Sequence, residues 1–575
     1  MDKQLHGIAA APGVALGTSV WWRQVEVAVV QRSISASAVV AEIDRLTQAV
    51  KKAAEQIELL KEVTQTRLGK EEAAIFEAHL SFLADPTYVG EMENRIKNDL
   101  QNADYVCAQV TEEMALMLSS LPDEYLRARS ADIQDVGHRL VLLLSGKQAF
   151  DPSLVKSGSV VIADELTPSD TIQLPDGIAA MVTKRGSKTG HAAIMARTLG
   201  IPMVVGVGNG LESIYDADVL IVDGSAGQIV VNPDASEQQE ATKAIADEKE
   251  QKERAMAFAN KLAMTKDGRR IQVFANIGGL KDVKKALAHG AEGVGLFRTE
   301  FLYLENTHWP TEDEQFTAYR EVLEAFSGNP VVIRTLDIGG DKELPYTDFA
   351  KEENPFLGHR AIRFCLANPD IFKTQLRALL RASVYGDLWI MFPMIENVAE
   401  ILAAKELLNE CRQELAQENI TVKDDIKVGI MVEIPAAAVM ADILAKYVDF
   451  MSIGTNDLTQ YTLAADRGNE LVAPLYDAVH PAVLRLIAQT CKAANEAGIV
   501  VGMCGELAGD VTMTEVLLGL GLQELSMSAS MVPVVKERLS YLQMQPALEV
   551  AKAVLKLENP GQVKEYAASH MSGSR

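Results

Sequence analysis

The residues best suited to chemistry in this 575-residue chain follow apolar, strand-like segments in its second half. Arginine binds phosphate and carboxylate oxygens bidentately, paired carboxylates can hold Mg²⁺, and a thiol can donate a proton. Residues of these types, with one amide, stand at the segment ends or in the loops beyond them: Arg298, Arg334, Asp337, Arg360, Glu433, Asn456, Asp457, Arg467 and Cys504. The set predicts a site that binds a small polyanion and supplies one proton.

Within this set, Glu433 and Asp457 follow neighbouring segments, so that the two carboxylates could share one Mg²⁺ ion. A cysteine that faces this charge cluster, as Cys504 would, could donate a proton. Taken one at a time, an arginine here could form a surface salt bridge, a carboxylate could be a structural cap, and Cys504 could be a buried inert thiol. Taken together, these residues indicate a polyanion site more specifically than any one of them does.

A separate candidate centre is His191, in the segment TKRGSKTGHAAIMAR (residues 183–197). Glycines before it let the backbone approach a bound group, and the small and apolar residues after it are typical of a helix start. A histidine at a helix N-terminus lies where an anion is favoured, and a neutral imidazole there could accept a phosphoryl group. The competing interpretation is an ordinary loop histidine before a buried helix.

These residues require a scaffold, and the second half has a regular alternation of strand and helix patterns. Strands are predicted at Ile271–Asn276, Gly293–Phe297, Val331–Thr335, Leu388–Pro393, Val428–Glu433, Phe450–Ile453, Val500–Cys504 and Glu524–Ser528. Eight strands alternating with helices predict a (β/α)₈ barrel, whose active site lies at the carboxyl ends of its strands. An open doubly wound sheet is the alternative.

The first half combines a strand-rich part with helical patterns, so the chain as a whole is predicted to be a multidomain α/β protein. Apolar residues at three-four spacing predict an all-α bundle inserted into an α/β domain. A charged segment without Gly or Pro predicts a linker helix before the barrel. The predicted boundaries are an α/β domain over 1–32 and 146–233, a helical subdomain over 33–145, a linker over 234–263 and a barrel over 264–575.

Composition narrows the function classes. The net charge of −24 argues against nucleic-acid binding and suits a basic protein partner. The five cysteines show no CxxC spacing, which favours a reducing compartment over disulfides or a zinc site. With no apolar run of about 20 residues and no convincing signal peptide, we expect a cytoplasmic protein without a membrane segment.

Long motifs in both halves carry a family resemblance. The barrel segments GAEGVGLFRTEFL, IRTLDIGGDKELPY, VGIMVEIPAA, SIGTNDLTQYTLAADRGN and GMCGELAGD resemble the phosphoenolpyruvate-utilising enzymes, in particular the Enzyme I family of the sugar phosphotransferase system. GIAAAPGVALG, EEAAIFEAHLSFLADP and LPDEYLRARSADIQDVGHRL extend the likeness to the first half. The resemblance covers nearly the whole chain.

The resemblance implies a phosphoryl relay from phosphoenolpyruvate to His191, in a swivelling phosphohistidine domain, and on to a histidine of the phosphocarrier protein HPr, in the first step of sugar uptake. Pyruvate is the other product, and a homodimer through the barrel is expected. By motif match, phosphoenolpyruvate is bound by Arg298, Arg334, Asn456, Asp457 and Arg467, with Arg360 assisting. Mg²⁺ is held by Glu433 and Asp457, Cys504 protonates the enolate, and Thr171 hydrogen-bonds the active histidine.

The helical subdomain resembles the HPr-docking module of this family, in which Glu71, Glu72 and Glu77 would suit a basic partner. His79, in the same motif, is interpreted as a docking or structural histidine and not as a second relay residue. The phosphohistidine loop departs from the family at two positions. Ser187 stands where Gly or Ala is usual, which is costly if φ is positive there, and Gly190 stands where Ser is frequent.

Two other functions remain open at this point. A phosphoenolpyruvate synthase or pyruvate phosphate dikinase shares the histidine domain and the barrel, but needs an ATP-binding domain that the first 145 residues do not provide. A weakly active paralogue could instead act as a partner-binding regulator, for which the departure at Ser187 is the support.

Overall fold

The computed structural model describes residues 3–23, 27–67, 70–120, 124–147, 150–187, 190–304, 306–339, 344, 346–347, 349, 352–467, 469, 471–472 and 475–571. Within these ranges, only the backbone is described for residues 70–72, 124–128, 191, 248 and 252. The chain divides into two compact units, Met1–Lys249 and Glu250–Arg575. None of the described helices is long and apolar enough to cross a membrane.

The described part of the first unit contains one eight-stranded mixed sheet with the strand order β1-β8-β7-β3-β4-β5-β6-β2. Its strands are β1 (Gln4–His6), β2 (Ile8–Ala11), β3 (Val14–Trp21), β4 (Ser159–Ala163), β5 (Ala180–Thr183), β6 (Met203–Val205), β7 (Val219–Asp223) and β8 (Gln228–Val231). Strands β3 and β4 pair in parallel, with Thr18 opposite Ser159. Segments on either side of the helical region therefore meet in one sheet, as predicted.

Helices of the first unit form a bundle between β3 and β4 and then cover the sheet. They are α1 (Val39–Arg67), α2 (Lys70–Ala84), α3 (Pro86–Asn98), α4 (Ala103–Ser119), α5 (Glu124–Ser145), α6 (Pro168–Gln173) and α7 (His191–Leu199); α8 (Ala235–Met256) follows the last strand. The bundle has its own apolar core, in which Leu46, Ile57, Phe76 and Leu140 are almost fully buried. Helix α8 ends at Met256, and turns follow it. The observed helix is therefore shorter than the predicted linker, 234–263.

The second unit is built on a closed barrel of parallel strands, which confirms the (β/α)₈ prediction and excludes the open sheet. Its strands are β9 (Gln272–Ile277), β10 (Val294–Phe297), β11 (Pro330–Arg334), β12 (Asp387–Phe392), β13 (Lys427–Val432), β14 (Phe450–Ile453), β15 (Val500–Met503) and β16 (Glu524–Met527). Strand β16 pairs with β9, with Glu524 opposite Gln272, and this pairing closes the ring.

Helices pack around this barrel. They are α9 (Lys281–Ala288), α10 (Phe301–Leu304), α11 (Glu312–Ala325), α12 (Ile362–Ala367), α13 (Pro369–Ala382), α14 (Val398–Gln417), α15 (Pro435–Val439), α16 (Ala441–Leu444), α17 (Thr455–Leu463), α18 (Pro481–Ala497), α19 (Thr514–Leu520), α20 (Val532–Leu539), α21 (Met544–Val554) and α22 (Pro560–Ser569). Capping boxes at Thr311 and Asn397 fix the starts of α11 and α14.

The barrel interior is filled by side chains that alternate with outward-facing residues along each strand. A buried interior cluster contains Leu296, Val332, Trp389, Met391, Met431, Phe450 and Cys504. Because most of this cluster is apolar, the charged residues that follow the strands are confined to the rim of the barrel. The fold thereby places the sequence-predicted charges at one end of a packed core.

Candidate active site

Two buried arginines join the ends of several barrel strands at the rim. Arg360 forms a fork with Asp337, in which Nη2 lies 3.0 Å from Oδ1 and 2.9 Å from Oδ2. Arg334 Nη1 lies 3.1 Å from Asp337 Oδ2, so Asp337 links the two guanidinium groups. Burial lowers the pKa of each arginine, but surrounding carboxylates raise it further, so both side chains stay charged.

The start of helix α17 brings Asp457 into the same cluster. Its Oδ2 accepts a hydrogen bond from Arg360 Nη2 at 3.2 Å, and its Oδ1 lies 3.5 Å from Arg467 Nη1. Tyr461, one turn later, accepts a hydrogen bond from Arg360 Nη1 at 3.1 Å. Asp457 is therefore held by two arginines, Arg360 and Arg467, and Tyr461 joins the cluster through Arg360.

Glu433 follows β13 and is almost completely buried. One of its oxygens, Oε1, accepts a hydrogen bond from the Met394 backbone N–H at 2.7 Å. Burial, with the nearby charges of Asp457 and Asp337, raises its pKa to about 8. Gly454 leaves space beside it, since a Cβ there would lie 3.1 Å from Glu433 Oε2.

Two residues of the cluster were not predicted from the sequence. Glu300 accepts a hydrogen bond from Arg334 Nη2 at 2.5 Å, and Tyr461 contacts Arg360. Glu300 lies two residues beyond Arg298 in the loop after β10, a position that its strand-end spacing could have indicated. Tyr461 lies inside a helix, and no spacing rule points to it.

This donor set fits a divalent cation. Among the described buried side chains of the cluster there are four carboxyl groups, Glu300, Asp337, Glu433 and Asp457, and two arginines. If all are ionised, two negative charges remain unbalanced. The described residues contain no group of three or more His, Cys, Asp or Glu side chains arranged to hold a metal. A carboxylate pair is smaller than such a group and matches Mg²⁺, which needs one or two carboxylates when substrate oxygens complete its shell.

Two predicted residues lie at the margin of the cluster. Arg298, directly after β10, is exposed, and its backbone N–H donates to Ile277 O. Asn456 is half-buried, with its Oδ1 accepting from the Glu506 backbone N–H at 3.3 Å. Both face the rim from different strands and neither joins the buried arginine–carboxylate network.

Cys504 follows β15 and lies in the interior cluster, 3% exposed. Burial raises the pKa of its thiol to about 12; Ser452 and Arg334 lower it, and Glu524 and Glu433 raise it. The thiol therefore keeps its proton at neutral pH. Such a group can serve as an acid only toward a strong base formed beside it.

The backbone of the loop before His191 shows which of its residues has a positive φ. Gly186 has φ of 123°, and Ser187 is not among the described residues with positive φ. Gly190 has φ of −64° and ψ of 152° and precedes α7 directly. The strained backbone position is occupied by a glycine, so the side chain of Ser187 carries no such cost.

His191 is the first residue of α7, as the sequence predicted, and its side chain lies outside the described part of the structure, as do Lys188 and Thr189. Thr171, predicted to contact His191, is buried in α6, where its hydroxyl donates to Thr167 O at 2.9 Å. The contact between Thr171 and His191 stays a prediction.

The predicted docking residues lie on α2. The side chains of Glu71 and Glu72 are outside the described residues, whereas Glu77 is exposed and pairs with Lys61 at 3.1 Å. His79 is 1% exposed, lies 3.6 Å from Asp132 Oδ1, and packs edge-on against Phe76. Its burial supports the structural interpretation over docking.

Comparisons with known proteins cover almost the whole chain. Family models match residues 6–129 (PEP-utilising enzyme, N-terminal), 155–227 (PEP-utilising enzyme, mobile domain) and 252–544 (PEP-utilising enzyme, PEP-binding domain). A phosphoenolpyruvate-protein phosphotransferase of Geobacillus stearothermophilus is 47% identical over 566 residues, 98% of each chain. The protein of that name from Bacillus subtilis is 44% identical over 98% of this chain and 99% of its own.

Proposed function

The chain belongs to the family of phosphoenolpyruvate-protein phosphotransferases, and on that premise we propose that it transfers the phosphoryl group of phosphoenolpyruvate through His191 to the phosphocarrier HPr, releasing pyruvate. The observation that carries the proposal is the barrel rim, where Arg334, Arg360, Glu433 and Asp457 meet above Cys504. A site with this composition binds a phosphorylated carboxylic acid and can protonate what remains after phosphoryl loss.

Phosphoenolpyruvate is bound, in this proposal, by arginines of different mobility. Arg334 and Arg360 are buried and fixed by carboxylates, while Arg298 is exposed and Arg467 is 41% exposed, so that they can close onto the ligand. Asn456 adds an amide at the start of α17. Mg²⁺, held by Glu433 and Asp457 when bound, would supply charge neutralisation at the phosphoryl oxygens.

The chain's own residues then act on the phosphoryl group and on the enolate. His191 attacks phosphorus, so that one N–P bond forms while the P–O bond to the enol oxygen breaks. Phosphoryl transfer depends mainly on positioning and charge stabilisation, which the arginines provide. The enolate takes a proton from Cys504 Sγ at its methylene carbon, which gives pyruvate and makes the loss of the phosphoryl group favourable.

His191 belongs to the first unit and the phosphoenolpyruvate site to the second, and His191 must meet first that site and then HPr, so we propose that turnover includes a domain movement. We propose that the parts that take part in this movement are the predicted ones: an α/β domain (1–32, 146–233), a helical subdomain (33–145), a linker and a barrel. The helical subdomain is the docking site for HPr, supported by the exposed carboxylate of Glu77. Thr171 is proposed to position His191.

We further propose a homodimer formed by the barrel. Exposed apolar side chains cluster in the segment after β13, where Val439 is 53% and Met440 39% exposed, with Tyr447 nearby in sequence at 38%. The five cysteines are free and buried, which supports a reducing, cytoplasmic setting.

The test is labelling with radioactive phosphoenolpyruvate and Mg²⁺, with and without HPr. We expect acid-labile label on the protein that is lost in His191→Ala and passes to HPr. Label from ATP alone would identify a synthase or dikinase, and no label from either would favour the partner-binding regulator.

Cys504→Ala provides the second part of the test. It should bind phosphoenolpyruvate normally and turn over slowly, because only the proton donor is removed. Cys491→Ala is the matched control, since Cys491 is an equally buried thiol on α18 away from the barrel interior. Unchanged turnover in Cys504→Ala would remove its role.

A further inference from the structure

A buried carboxyl group that the proposed reaction does not use lies one layer below Cys504. Glu524, at the start of β16, is the cross-strand neighbour of Gly502 on β15. Side chains alternate along a strand, so Gly502 faces the same side as Cys504, which lies in the barrel interior. Cross-strand neighbours share a face, and Glu524 therefore points into the barrel interior too.

Two glycines make room for this carboxyl group. A Cβ on Gly502 would lie 1.7 Å from Glu524 Oε2, and a Cβ on Gly295 would lie 2.7 Å from Oε1. The carboxyl group thus occupies the space that a side chain at position 502 would fill. At a rise of about 3.3 Å per residue, this position is roughly 6.6 Å along the strand from Cys504.

Ser452 lies on the other side of Gly502, because the register of β14 and β15 pairs these two residues. Its hydroxyl has no hydrogen-bond partner of ordinary geometry among the described residues, but it lies close enough to Cys504 to lower the pKa of the thiol. The carboxyl of Glu524 lies over Gly502, and Ser452 is the other cross-strand neighbour of that glycine. Cys504, Ser452 and Glu524 consequently enclose one small region of the interior.

Glu524 Oε1 is likewise buried and unpartnered in the part of the chain that the structure describes. Buried polar groups are normally hydrogen-bonded, so two unpartnered oxygens in one region call for a function. Burial raises the pKa of Glu524 to about 8, although a hydrogen bond from the Met503 backbone lowers it. The group therefore carries a proton at neutral pH in an interior that is otherwise largely apolar.

We propose that Glu524 returns a proton to Cys504 after each turnover, with the Ser452 hydroxyl as the bridge; this inference rests on the proposed function. The thiolate left by enolate protonation takes the proton of the Ser452 hydroxyl while the Glu524 O–H proton moves to the Ser452 oxygen. One S–H bond forms, one carboxyl O–H bond breaks, and Ser452 is unchanged. The resulting carboxylate takes a proton from water before the next cycle.

The transfer runs in the favourable direction, since the thiol binds a proton more tightly than the carboxyl group does. Exposure alone does not separate the two groups, since Cys504 is 3% and Glu524 6% exposed. Their positions do: Cys504 follows β15 at the rim that binds the substrate, whereas Glu524 begins β16 at the opposite end of the barrel and exchanges its proton with solvent from that end. The charged groups with the largest effect on the pKa of Cys504 are Glu524, Arg334 and Glu433, and the last two already belong to the binding network. Glu524 is the one left to supply the proton.

The experiment compares the first turnover with later ones in Glu524→Gln, an isosteric change that removes the proton donor. Rapid mixing with phosphoenolpyruvate and Mg²⁺, with HPr in excess, follows pyruvate release and thiolate ultraviolet absorbance. We expect one equivalent of pyruvate at the wild-type rate, then a steady state slower by about 100-fold, with thiolate accumulating. Equal slowing of both phases without thiolate, or no slowing, would overturn the proposal.

Controls separate this inference from the function on which it rests. If the wild-type protein forms no phosphoenzyme from phosphoenolpyruvate, the proposed function fails first. Glu515, on α19, is an equally buried carboxyl group that pairs with Arg538 at 3.0 Å. Glu515→Gln should leave the ratio of first to later turnovers unchanged. If Glu524→Gln does not fold, Ser452→Ala takes its place, and a steady state equal to the wild type would overturn the proposal.

Discussion

Replacing Glu524 by glutamine should change how the stability of the barrel depends on pH. In the folded protein, burial raises the pKa of this carboxyl group from 4.5 to about 8. Between those values the native state holds a proton that the unfolded chain has released, so the free energy of unfolding falls as pH rises. Glutamine cannot titrate and removes this contribution.

The magnitude follows from the shift. Each pKa unit corresponds to about 1.4 kcal/mol. Between the two pKa values, the free energy of unfolding of the wild type therefore falls by that amount per pH unit, and the total loss reaches roughly 5 kcal/mol above pH 8. Between pH 6 and pH 8, the stability of Glu524→Gln relative to the wild type should therefore rise by about 2 kcal/mol, since the folded-state carboxyl group is already half ionised at pH 8. Other titrating groups, including Glu433, are common to both proteins and cancel in the difference.

Hydrogen exchange of the peptides covering β15 and β16, measured across pH in urea, reports the stability of this unit directly. Glu549→Gln is the control: Glu549 is exposed on α21, and its loss should change stability little at any pH. A difference between Glu524→Gln and wild type that stays flat from pH 6 to pH 8 would show that Glu524 does not hold a proton in the folded protein. The reasoning from burial would then be refuted.

The other predictions concern the rim and the histidine loop. Arg360→Lys keeps the charge but loses the fork that joins Asp337, Asp457 and Tyr461, so kcat/KM for phosphoenolpyruvate should fall by on the order of 100-fold. Arg363→Lys, a partly exposed neighbour, is its control, and an equal loss in both variants would contradict a specific role for the fork. Gly186→Ser places a side chain at a φ of 123° and should lower the stability of the first unit by about 1–3 kcal/mol, measured by urea unfolding. Gly190→Ser, at a φ of −64°, should be nearly neutral, and equal effects would refute the assignment of strain to Gly186.

The sequence predicted the barrel well because its strands are short apolar runs separated by helical patterns. Each predicted strand is present, with bounds that agree to within one residue; Phe450–Ile453 is observed as predicted, and Leu388–Pro393 is observed as Asp387–Phe392. Strand ends then located Arg334, Glu433 and Cys504 correctly, since parallel strands in a closed barrel all deliver their carboxyl ends to one rim. The alternation of strand and helix patterns therefore predicts the place of a residue well when that place depends only on its position along a strand.

Residues that depend on cross-strand register were not predictable in the same way. Glu524 stands at the start of a strand, where the strand-end rule expects structural residues, and its closeness to Cys504 appears only once Gly502 is known to be its neighbour. The linker helix ends before the predicted 263, because residues 257–260 have helical composition but form turns and no helix follows over 261–263. The backbone conformation at Ser187 was not predictable, because the sequence alone does not reveal which residue of the loop has a positive φ.

The arginine–carboxylate network balances much of the charge at the rim and orients the arginines. Arg360 is held between Asp337 and Asp457, so its guanidinium group is already oriented and loses little freedom when a phosphate or carboxylate arrives. Asp457, however, cannot accept the hydrogen bond from Arg360 and bind a cation equally well. When Mg²⁺ is bound, Asp457 would help to hold it, and ligand oxygens would take over part of the hydrogen bonding of Arg360. The two binding events should then favour each other, because each releases a partner that the other requires.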